Sequence, residues 1–442
     1  MFARCGSLRG GVTVAKSFVR RAIAAGAVVG LVATGSLAAA GQQTAKAAGP
    51  VTLHFWMGPD TNVPNDTKQL VDEFNKANVG KIKVIYDVQS THTDDYFNTI
   101  QRTLQNKGTN PDVFGGDVIW PAQLAGQGLL LPIDKYFPKS EQSKYLGGPI
   151  QDVQYKGQTY GAPWFTDFGL TYYRTDLLKK YNLPVPQTWQ TLQSDAKTLV
   201  QKGAVKEGFV FQGNQYEGLV CNALEYVNGA GGALYPASAA NSTATQAADG
   251  LAMMRGMITS GATPKAVTTY DEAATANDFT NGLAAFARNW PYMWGVAQGK
   301  ASKIAGKVGV LPLMHSPGKT AYSTLGGWNL SISKYSQHPN EAWKFISFLI
   351  SPAAQKEFAI TEGHTMALTS TYNDPQVRKA NPWFETVIPR LQIRPRPTSP
   401  VYNAITIQMQ KDFHGVLDGS IQPSAAVKDI SSYITVAESR FK

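Results

Sequence analysis

The chain has 442 residues, of which 43% are hydrophobic, 11% aromatic and 16% charged. This length suggests two or three domains, and the composition excludes a disordered, collagen-like or coiled-coil chain. The formal net charge is +10, but the first 47 residues carry six basic residues and no acidic ones. The remainder therefore has 35 basic and 31 acidic residues, a net charge of only +4. With no long basic run, we expect no nucleic-acid partner.

The amino terminus has the pattern of a secretory signal peptide. A basic stretch ending at Arg20 and Arg21 precedes an uncharged run, rich in Ala, Gly and Val, at residues 22–40. Small residues that suit cleavage follow at 45–47, with 38–40 as the competing site. The alternative is an uncleaved membrane anchor, although Ala and Gly insert weakly into bilayers. We expect residues 1–47 to be the signal peptide.

Cysteine usage agrees with export. The two cysteines are Cys5, inside the predicted leader, and Cys221. Neither cysteine stands directly at the end of the apolar run, so no lipid-anchored amino terminus is expected. A folded exported chain of this size needs no disulfide. We expect the mature protein in a periplasm or at the outer face of the cell membrane.

Helices and strands alternate along the rest of the chain. Hydrophobic spacing predicts a helix at 66–76, strands at 81–87 and 113–114, and a loop at 115–117. Further helices are predicted from Thr188, as N-cap, to Gly203, and at 341–350. The alternation favours an α/β fold class with largely parallel sheets. Because the sequence has no low-complexity linker after residue 50, we expect two lobes joined by short crossings.

Residues that commonly carry catalysis or bind metals are scattered. The histidines form no H-E-x-x-H motif, no i, i+4 pair and no pair with cysteine, so neither a metal site nor a cofactor is expected. Gly318, Lys319 and Thr320 resemble the end of a phosphate-binding loop, but Leu313 stands where its first glycine is required. This segment is therefore interpreted as a surface turn, and no catalytic residue is predicted.

Four segments place aromatic residues beside carboxylates, glycines or prolines: 116–120, 163–167, 289–294 and 326–329. All four are interpreted as loops at strand ends. Taken singly, Trp120 and Trp294 fit core packing best. Together the segments suit a carbohydrate, because an aromatic face covers the C–H face of a sugar ring and a carboxylate accepts hydrogen bonds from its hydroxyls.

Several ordered blocks carry a family resemblance. They are YKGQTYGAP at 155–163, YYRTDLL at 172–178, QGNQYEGLVC at 212–221, NWPY at 289–292, LGGW at 325–328 and PRP at 395–397. With these blocks the chain resembles the extracellular solute-binding proteins of ABC sugar importers (bacterial extracellular solute-binding protein family 1), and within them the trehalose/maltose-binding branch. The resemblance covers nearly all of the chain after the leader.

The resemblance implies a two-lobed periplasmic-binding-protein fold of type II, with a ligand cleft between lobes joined by hinge crossings. The N-lobe would comprise residues 50–162 with 312–366, and the C-lobe residues 163–311 with 367–442. A monomer would close on a trehalose-like or maltose-like α-glucoside and deliver it to ABC permease subunits at the membrane.

The resemblance also implies a set of ligand-binding residues. Two carboxylates would accept sugar hydroxyls, three aromatic side chains would form walls, a glycine would offer its backbone and an arginine would donate hydrogen bonds. The ten residues are Asn65, Asp66, Asp117, Phe165, Asp167, Trp290, Tyr292, Gly327, Trp328 and Arg396.

At three places the chain departs from the branch. Around Asn65 the branch tends to have an acidic residue that faces the sugar, and around Tyr96 and Phe97 it tends to have an arginine. Phe165 stands where a tyrosine is expected. These departures leave the class of sugar expected and its identity open.

Two other functions are compatible with the residues. Asp117 and Asp167 could be the acid and base of a secreted glycoside hydrolase. A receptor for another small polar solute, such as glycerol phosphate, a polyamine or ferric ion, is the second alternative. The predicted function is a sugar receptor that is not an enzyme.

Overall fold

The computed structural model describes residues 49–58 and 66–440. The predicted signal peptide lies outside these residues. Within them the strands are β1 Val51–Met57, β2 Ile82–Val88, β3 Val113–Asp117, β4 Gln154–Tyr155, β5 Gln158–Thr159, β6 Ala162–Phe168, β7 Leu170–Arg174, β8 Glu207–Val210, β9 Ala284–Asn289, β10 Val308–Leu311, β11 Ser323–Ile332, β12 Thr365–Met366 and β13 Ile393–Arg394.

The first nine α-helices of the described residues are α1 Asp66–Ala77, α2 Thr93–Gln105, α3 Pro121–Gly126, α4 Lys139–Gln142, α5 Gly147–Asp152, α6 Thr175–Tyr181, α7 Trp189–Gln201, α8 Glu217–Gly229 and α9 Ala237–Ser242. The others are α10 Ala244–Thr259, α11 Glu272–Thr280, α12 Met293–Gln298, α13 Pro339–Leu349, α14 Pro352–Thr361, α15 Pro375–Ala380, α16 Phe384–Val387, α17 Tyr402–Asp418 and α18 Pro423–Ser439. Short 3₁₀ helices lie at Lys265–Thr269, Thr369–Asn373 and Ile388–Arg390.

The larger sheet has the strand order β12-β6-β11-β3-β1-β2, with β13 joining β11. β1 runs parallel to β2 and β3, whereas β11 runs antiparallel to both β3 and β6. In β1 the buried Leu53, Phe55 and Met57 alternate with less buried residues, as expected for one face on a core. β11 lies between β3 and β6, so the ends of these three strands meet in one region.

The smaller sheet has the order β10-β7-β9-β8. β8 and β9 are parallel, and the other two pairings are antiparallel. Helices α8, α10, α17 and α18 pack against one another beside this sheet. Their buried side chains, among them Leu224, Met254, Phe413 and Ile430, share one hydrophobic cluster with Phe209 of β8.

The chain passes between the two sheets at three places. Gly169 separates β6 from β7, residues 312–322 lead from β10 to β11, and residues 395–401 lead from β13 to α17. The first two crossings touch, because the Ser323 hydroxyl donates to the Gly169 carbonyl over 2.7 Å. Beside them lies a buried ion pair, in which Arg288 Nε donates to Glu225 Oε2 over 2.8 Å.

The structure confirms several predicted elements. α1, α7 and α13 match the predicted helices, and β2 and β3 match the predicted strands. Thr188 is the N-cap of α7, since its hydroxyl accepts from the Thr191 N–H and a capping box is complete. The segment at 317–320 is an exposed turn or bend.

Three predictions about elements were wrong. Residues 115–117, 163–167 and 326–329 were expected in loops but lie inside β3, β6 and β11. All three strands are buried along nearly their whole length, so they lack the alternation of a half-buried strand. The sheets are mixed and not largely parallel, because strands such as β11 enter from the other lobe and run back against their neighbours.

The predicted lobe ranges need two changes. β6 pairs with β11 as far as Phe168, so the edge predicted after residue 162 moves to Gly169. β13 pairs with the start of β11, although residues 367–442 were assigned to the C-lobe. With these changes the division into an N-lobe around the larger sheet and a C-lobe around the smaller one remains our proposal.

Candidate functional site

A cleft lies between the larger sheet and the elements around the smaller one, with about 950 Å³ of empty space that includes its open mouth. The larger sheet contributes the end of β3, part of β6 and residues 326–328 of β11. The opposite side is formed by the first residues of α8 and α11 and by the segment after β9. The cleft is therefore lined by both lobes.

Arg396 joins carboxylates from the two sides of the cleft. Its Nη2 donates to Asp117 Oδ1 over 2.6 Å, and its Nη1 donates to Glu217 Oε1 over 2.8 Å. Asp117 ends β3 of the larger sheet, whereas Glu217 begins α8 beside the smaller one. All three side chains are buried, so these charge-assisted bonds are of the strong kind.

The guanidinium of Arg396 was predicted to donate to a ligand. Both of its terminal nitrogens instead bind protein carboxylates, and Nε is its one nitrogen without a partner among the described residues. The bonds to these carboxylates use three of its five N–H groups, so the side chain offers a ligand at most Nε–H and the second N–H of Nη2 unless the bridge opens.

Glu217 also connects α8 to α17. Its carboxylate accepts hydrogen bonds from the hydroxyls of Tyr402, over 2.7 Å, and Thr406. Burial raises the pKa of Glu217 to about 7, although the nearby Arg396 lowers it. Burial and the guanidinium of Arg396 thus act in opposite directions on the charge of this carboxyl group.

A second polar contact connects the lobes near this bridge. Gln410 on α17 donates to both oxygens of Asp94 on α2, at 3.2 and 3.3 Å. Burial raises the pKa of Asp94. The start of α17 also contacts α3, because the Asn403 N–H donates to Gln123 Oε1 over 3.1 Å. The structure therefore has the two sides of the cleft in direct contact.

Asp167 lies on β6, on the far side of β11 from Asp117. Its neighbour is His364, whose Nδ1 is 3.6 Å from Asp167 Oδ1 and whose Nε2 is 3.3 Å from Glu362 Oε2. Burial lowers the pKa of His364, but the two carboxylates outweigh this and raise it to about 10. The ring is therefore an imidazolium at neutral pH.

Trp290 and Tyr292 form an aromatic wall held by Glu272. The indole Nε1 of Trp290 donates to Glu272 Oε1 over 3.1 Å, and the Tyr216 hydroxyl donates to Oε2 over 2.6 Å. The Tyr292 hydroxyl donates to the backbone carbonyl of Glu272 over 3.3 Å. Behind the indole, the Arg288 guanidinium lies 3.9 Å from the ring centroid. The wall is thus held by Glu272 at its polar edges and by Arg288 on one face of the indole.

Trp328 forms the aromatic surface opposite, on β11. It stacks on Tyr96 at a centroid distance of 6.2 Å and meets Trp120 edge-on at 5.7 Å. Tyr96, Phe97 and Trp120 are buried core residues, as favoured for Trp120 from the sequence. The aromatic pair found where the related branch has an arginine therefore supports Trp328 from below.

Gly327 has φ +122°, which L side chains rarely adopt, and a Cβ there would lie 2.5 Å from the Phe165 carbonyl oxygen. Its own carbonyl accepts from the Val118 N–H over 3.2 Å. Phe165 faces the cleft but packs mainly on His364, at a centroid distance of 4.4 Å, and on Phe358.

Eight of the ten predicted ligand residues line this one cleft. They are Asp117, Phe165, Asp167, Trp290, Tyr292, Gly327, Trp328 and Arg396. Asn65 lies outside the described residues. Asp66 is the first residue of α1, and its side chain is not described. Their roles toward a ligand remain predictions.

Sequence reasoning missed three charged residues of the cleft: Glu217, Glu272 and His364. Glu217 lies inside the block at 212–221 that carried the resemblance, so that block held a usable signal. Glu272 and His364 have no motif around them and reach the cleft only through the fold.

Across residues 49–58 and 66–440, no three His, Cys, Asp or Glu side chains are grouped as a metal site would require. The helices within the same ranges include none that is long and apolar enough to cross a bilayer.

The fold and the cleft define a class of protein: a two-lobed α/β binding protein that holds a small molecule between its lobes. A family model described as bacterial extracellular solute-binding protein matches residues 58–356, and the chain belongs to this family. The predicted membership is confirmed.

The chain is similar to a probable ABC transporter-binding protein of Deinococcus radiodurans, with 34% identity over 94% of this chain and 98% of the relative. Maltose-bound MalE3 of T. maritima has a TM-score of 0.82 and 33% identity over 87% of this chain and 99% of that chain. The GacH receptor of Streptomyces glaucescens, solved unliganded and with acarbose, has a TM-score of 0.75 and 21% identity over 89% of this chain and 100% of that chain. At this identity the similarity shows the fold alone. The predicted two-lobed fold class is confirmed.

Proposed function

We propose that this protein is the sugar receptor of an ABC transporter. It is exported, works as a monomer in a periplasm or at the outer face of the membrane, and captures an α-glucoside di- or oligosaccharide of the trehalose or maltose type. After closure it delivers the sugar to the permease subunits. The observation that carries the proposal is the meeting of two aromatic surfaces, Trp290 and Trp328, with the carboxylate of Asp167 in one cleft between the lobes.

The chemistry of this cleft suits a sugar. The exposed parts of Trp290 and Trp328 are flat apolar faces that can cover the C–H faces of pyranose rings. Asp167 Oδ1 has no partner within hydrogen-bonding distance among the described residues, so the carboxylate still has capacity to accept hydroxyl hydrogens. Such a mixture of apolar walls and few polar groups is typical of small-molecule sites.

The charge of the cleft favours a neutral ligand over glycerol phosphate. Among the described residues, four carboxylates line the cleft, and the cations facing them are Arg396 and His364. Both cations already contact carboxylates. A phosphate would therefore meet an excess of negative charge without a free guanidinium to pair with.

The geometry does not favour the hydrolase alternative. Asp117 and Asp167 pair with opposite sides of β11, so their backbones are separated by two strand spacings, about 10 Å. This spacing does not suit a retaining glycosidase, whose carboxyl groups are about 5 Å apart, although it is near the spacing of about 6.5 to 9.5 Å in an inverting one. Arg396 also donates to both oxygens of Asp117, so this carboxylate is already occupied and is not free to act on a substrate.

The relatives support the choice of sugar and of transporter. MalE3 of T. maritima, which shares 33% identity with this chain, was solved with maltose. The relative from Deinococcus radiodurans is named as a probable ABC transporter-binding protein. We carry both functions over to this chain as part of the proposal.

Calorimetry on the mature protein tests the proposal. We expect tight binding of at least one of maltose, trehalose, sucrose or a longer maltodextrin, and none of glycerol phosphate. Each sugar should be recovered unchanged after prolonged incubation. Glucose release that Asp117→Asn or Asp167→Asn abolishes would establish the hydrolase instead, and binding of glycerol phosphate alone would contradict the sugar assignment.

A further inference from the structure

His364 lies at the wall of the cleft and packs against two phenylalanine rings. Its ring stacks on Phe358 at 5.0 Å and 9° and lies 4.4 Å from the Phe165 ring. The residue is 9% exposed. The Phe165 and Phe358 rings are themselves only 5.6 Å apart, so they pack on the same side of the imidazole. Because the residue is buried against these two rings, the imidazole can rotate little and its two nitrogens point in fixed directions.

The two nitrogens point at two carboxylates. Nε2 is 3.3 Å from Glu362 Oε2, and Nδ1 is 3.6 Å from Asp167 Oδ1. Nδ1 and Oδ1 are both buried, and neither has a hydrogen-bond partner among the described residues. Such a pair of unsatisfied groups is rare in a folded protein and is costly unless the two interact or a ligand intervenes. Asp167 also lines the cleft, so its other oxygen, Oδ2, is the one directed to the cleft.

We propose that His364 is a positioning residue for Asp167: its Nδ1–H holds Oδ1, so that Oδ2 is kept in place as an acceptor for a ligand hydroxyl. This inference rests on the proposed sugar receptor. It assigns His364 a role that neither the motifs nor the resemblance indicated. His364 acts on the ligand only through Asp167.

The charges around the ring agree with this role. The titratable groups that face it are Asp167 from β6, Glu362 from the end of α14, and Tyr292, whose ring centroid is 6.1 Å away. The carboxylates raise the pKa of His364 to about 10, against the effect of burial. An imidazolium has two N–H donors and no acceptor, so it can serve both carboxylates at once.

The arrangement also restricts the ligand. A carboxylate whose ionised form is held by a cation only accepts hydrogen bonds, so the ligand atom at Oδ2 must carry a hydrogen. A sugar hydroxyl meets this condition, whereas a ring or glycosidic oxygen does not. We therefore expect a hydroxyl of the bound sugar at Asp167, and poor binding of analogues in which it is methylated or replaced by hydrogen.

Two amide substitutions separate the two contacts of His364. The amide nitrogen of asparagine can occupy the place of Nδ1, and that of glutamine the place of Nε2. For maltose, or the tightest-binding sugar of the panel, we expect His364→Gln to weaken binding about 10-fold to 100-fold and His364→Asn to stay within about 5-fold of wild type. Equal losses in the two variants would contradict the proposal.

A double-mutant cycle shows whether His364 acts through Asp167. In an Asp167→Asn background we expect His364→Gln to change the affinity by less than about 3-fold, since the positioned carboxylate is already gone. Melting temperatures identify any variant that merely fails to fold. Additive losses in well-folded variants would mean that His364 only packs, and would overturn the proposal.

A ligand-free measurement keeps this inference separate from the proposed function. Histidine proton resonances should show His364 protonated from pH 5 to 9 in the wild type, with its titration midpoint lowered in Asp167→Asn and nearly unchanged in Asp134→Asn. An identical His364 titration in wild type and Asp167→Asn would overturn the pairing even if sugar binds. If no sugar binds but the midpoint shifts, the receptor proposal fails and the pairing stands.

Discussion

Trp290 shows how a single residue of the cleft is prepared for its ligand. Its indole N–H is bound by Glu272, the Arg288 guanidinium covers one face, and its ring edge approaches Gly326. A Cβ on Gly326 would be 3.2 Å from the ring, so the glycine makes room for it. An aromatic side chain fixed in this way loses little conformational entropy when a ligand covers it.

Replacing this ring should therefore affect binding much more than folding. We expect Trp290→Ala to weaken sugar binding by about 2 to 4 kcal/mol in calorimetry, as for a central aromatic anchor. Trp343→Ala is the matched control, because Trp343 is a partly buried tryptophan that stacks on Tyr136 against the core of the larger sheet's lobe. It should lower the melting temperature and leave the affinity unchanged. The reverse pattern would make Trp290 a packing residue.

The charge on His364 predicts how stability depends on pH. The pKa of the folded state is about 10, above the ordinary value of 6.5. The folded state then binds more protons between these values, so the stabilisation is complete below pH 6.5 and is lost as pH rises toward 10. Urea unfolding at pH 6, 7.5 and 9 should show that the unfolding free energy of wild type exceeds that of His364→Asn by a gap that decreases as pH rises. A constant gap would contradict the raised pKa.

At the residue scale, sequence found the groups that belong to motifs and missed those that the fold brings in. Asp117, Asp167 and Trp328 lie in blocks that carry the resemblance or in aromatic segments beside carboxylates. His364 reaches the cleft after α14, and Glu272 starts α11. Nothing in the local sequence distinguishes these two from other charged residues, because their importance comes from neighbours far away in the chain. The same holds for Arg396, whose carboxylate partners could not be known from the sequence.

Among the elements, β11 does most to form the site. It pairs with β3 at Asp117 and with β6 at Asp167, and its own Trp328 lies between them. The strand was interpreted as a loop because of its two adjacent glycines. Both glycines instead lie in a buried sheet and leave room for a close neighbour. The Trp290 ring approaches Gly326, and the backbone of β6 approaches Gly327. Helices with a clear cap and stripe, such as α7, were predictable because their signals are local.

Gly327 should therefore be far less tolerant of substitution than its dihedral angle alone requires. Gly327→Ala should cost more than about 2 kcal/mol of unfolding free energy, from the unfavourable φ and from the contact with the Phe165 carbonyl. Gly318→Ala, at φ +73° in an exposed turn with open space around it, should cost only about 1 kcal/mol. Urea unfolding measures both, and equal losses would mean that the close approach contributes nothing.

For the whole molecule, the contacts between the lobes predict a change of shape with ligand. Arg396 and the Gln410–Asp94 pair both span the two sides of the cleft. A sugar that contacts both sides binds the closed arrangement better and must shift the population toward it. Small-angle scattering should give a smaller radius of gyration with sugar, and the unfolding free energy should rise by about 2.7 kcal/mol at a ligand concentration of 100 Kd.

The control for this prediction is a sugar that calorimetry finds not to bind, which should change neither quantity. A ligand that binds without reducing the radius of gyration would show that the two sides are already closed in its absence. In that case Arg396 and Gln410 would be fixed parts of one rigid body.

The rate at which Cys221 reacts with a thiol reagent reports on this motion. The residue lies on α8 at the floor of the cleft, is 2% exposed, and burial raises the pKa of its thiol. A thiol reagent can reach the sulfur only while the two sides are apart, so the rate of labelling counts openings without any engineered probe. The other cysteine of the sequence, Cys5, lies in the predicted leader, so a Cys5→Ser variant ensures that every label reports from Cys221. Saturating sugar should lower the labelling rate in proportion to the fraction of molecules in the closed state.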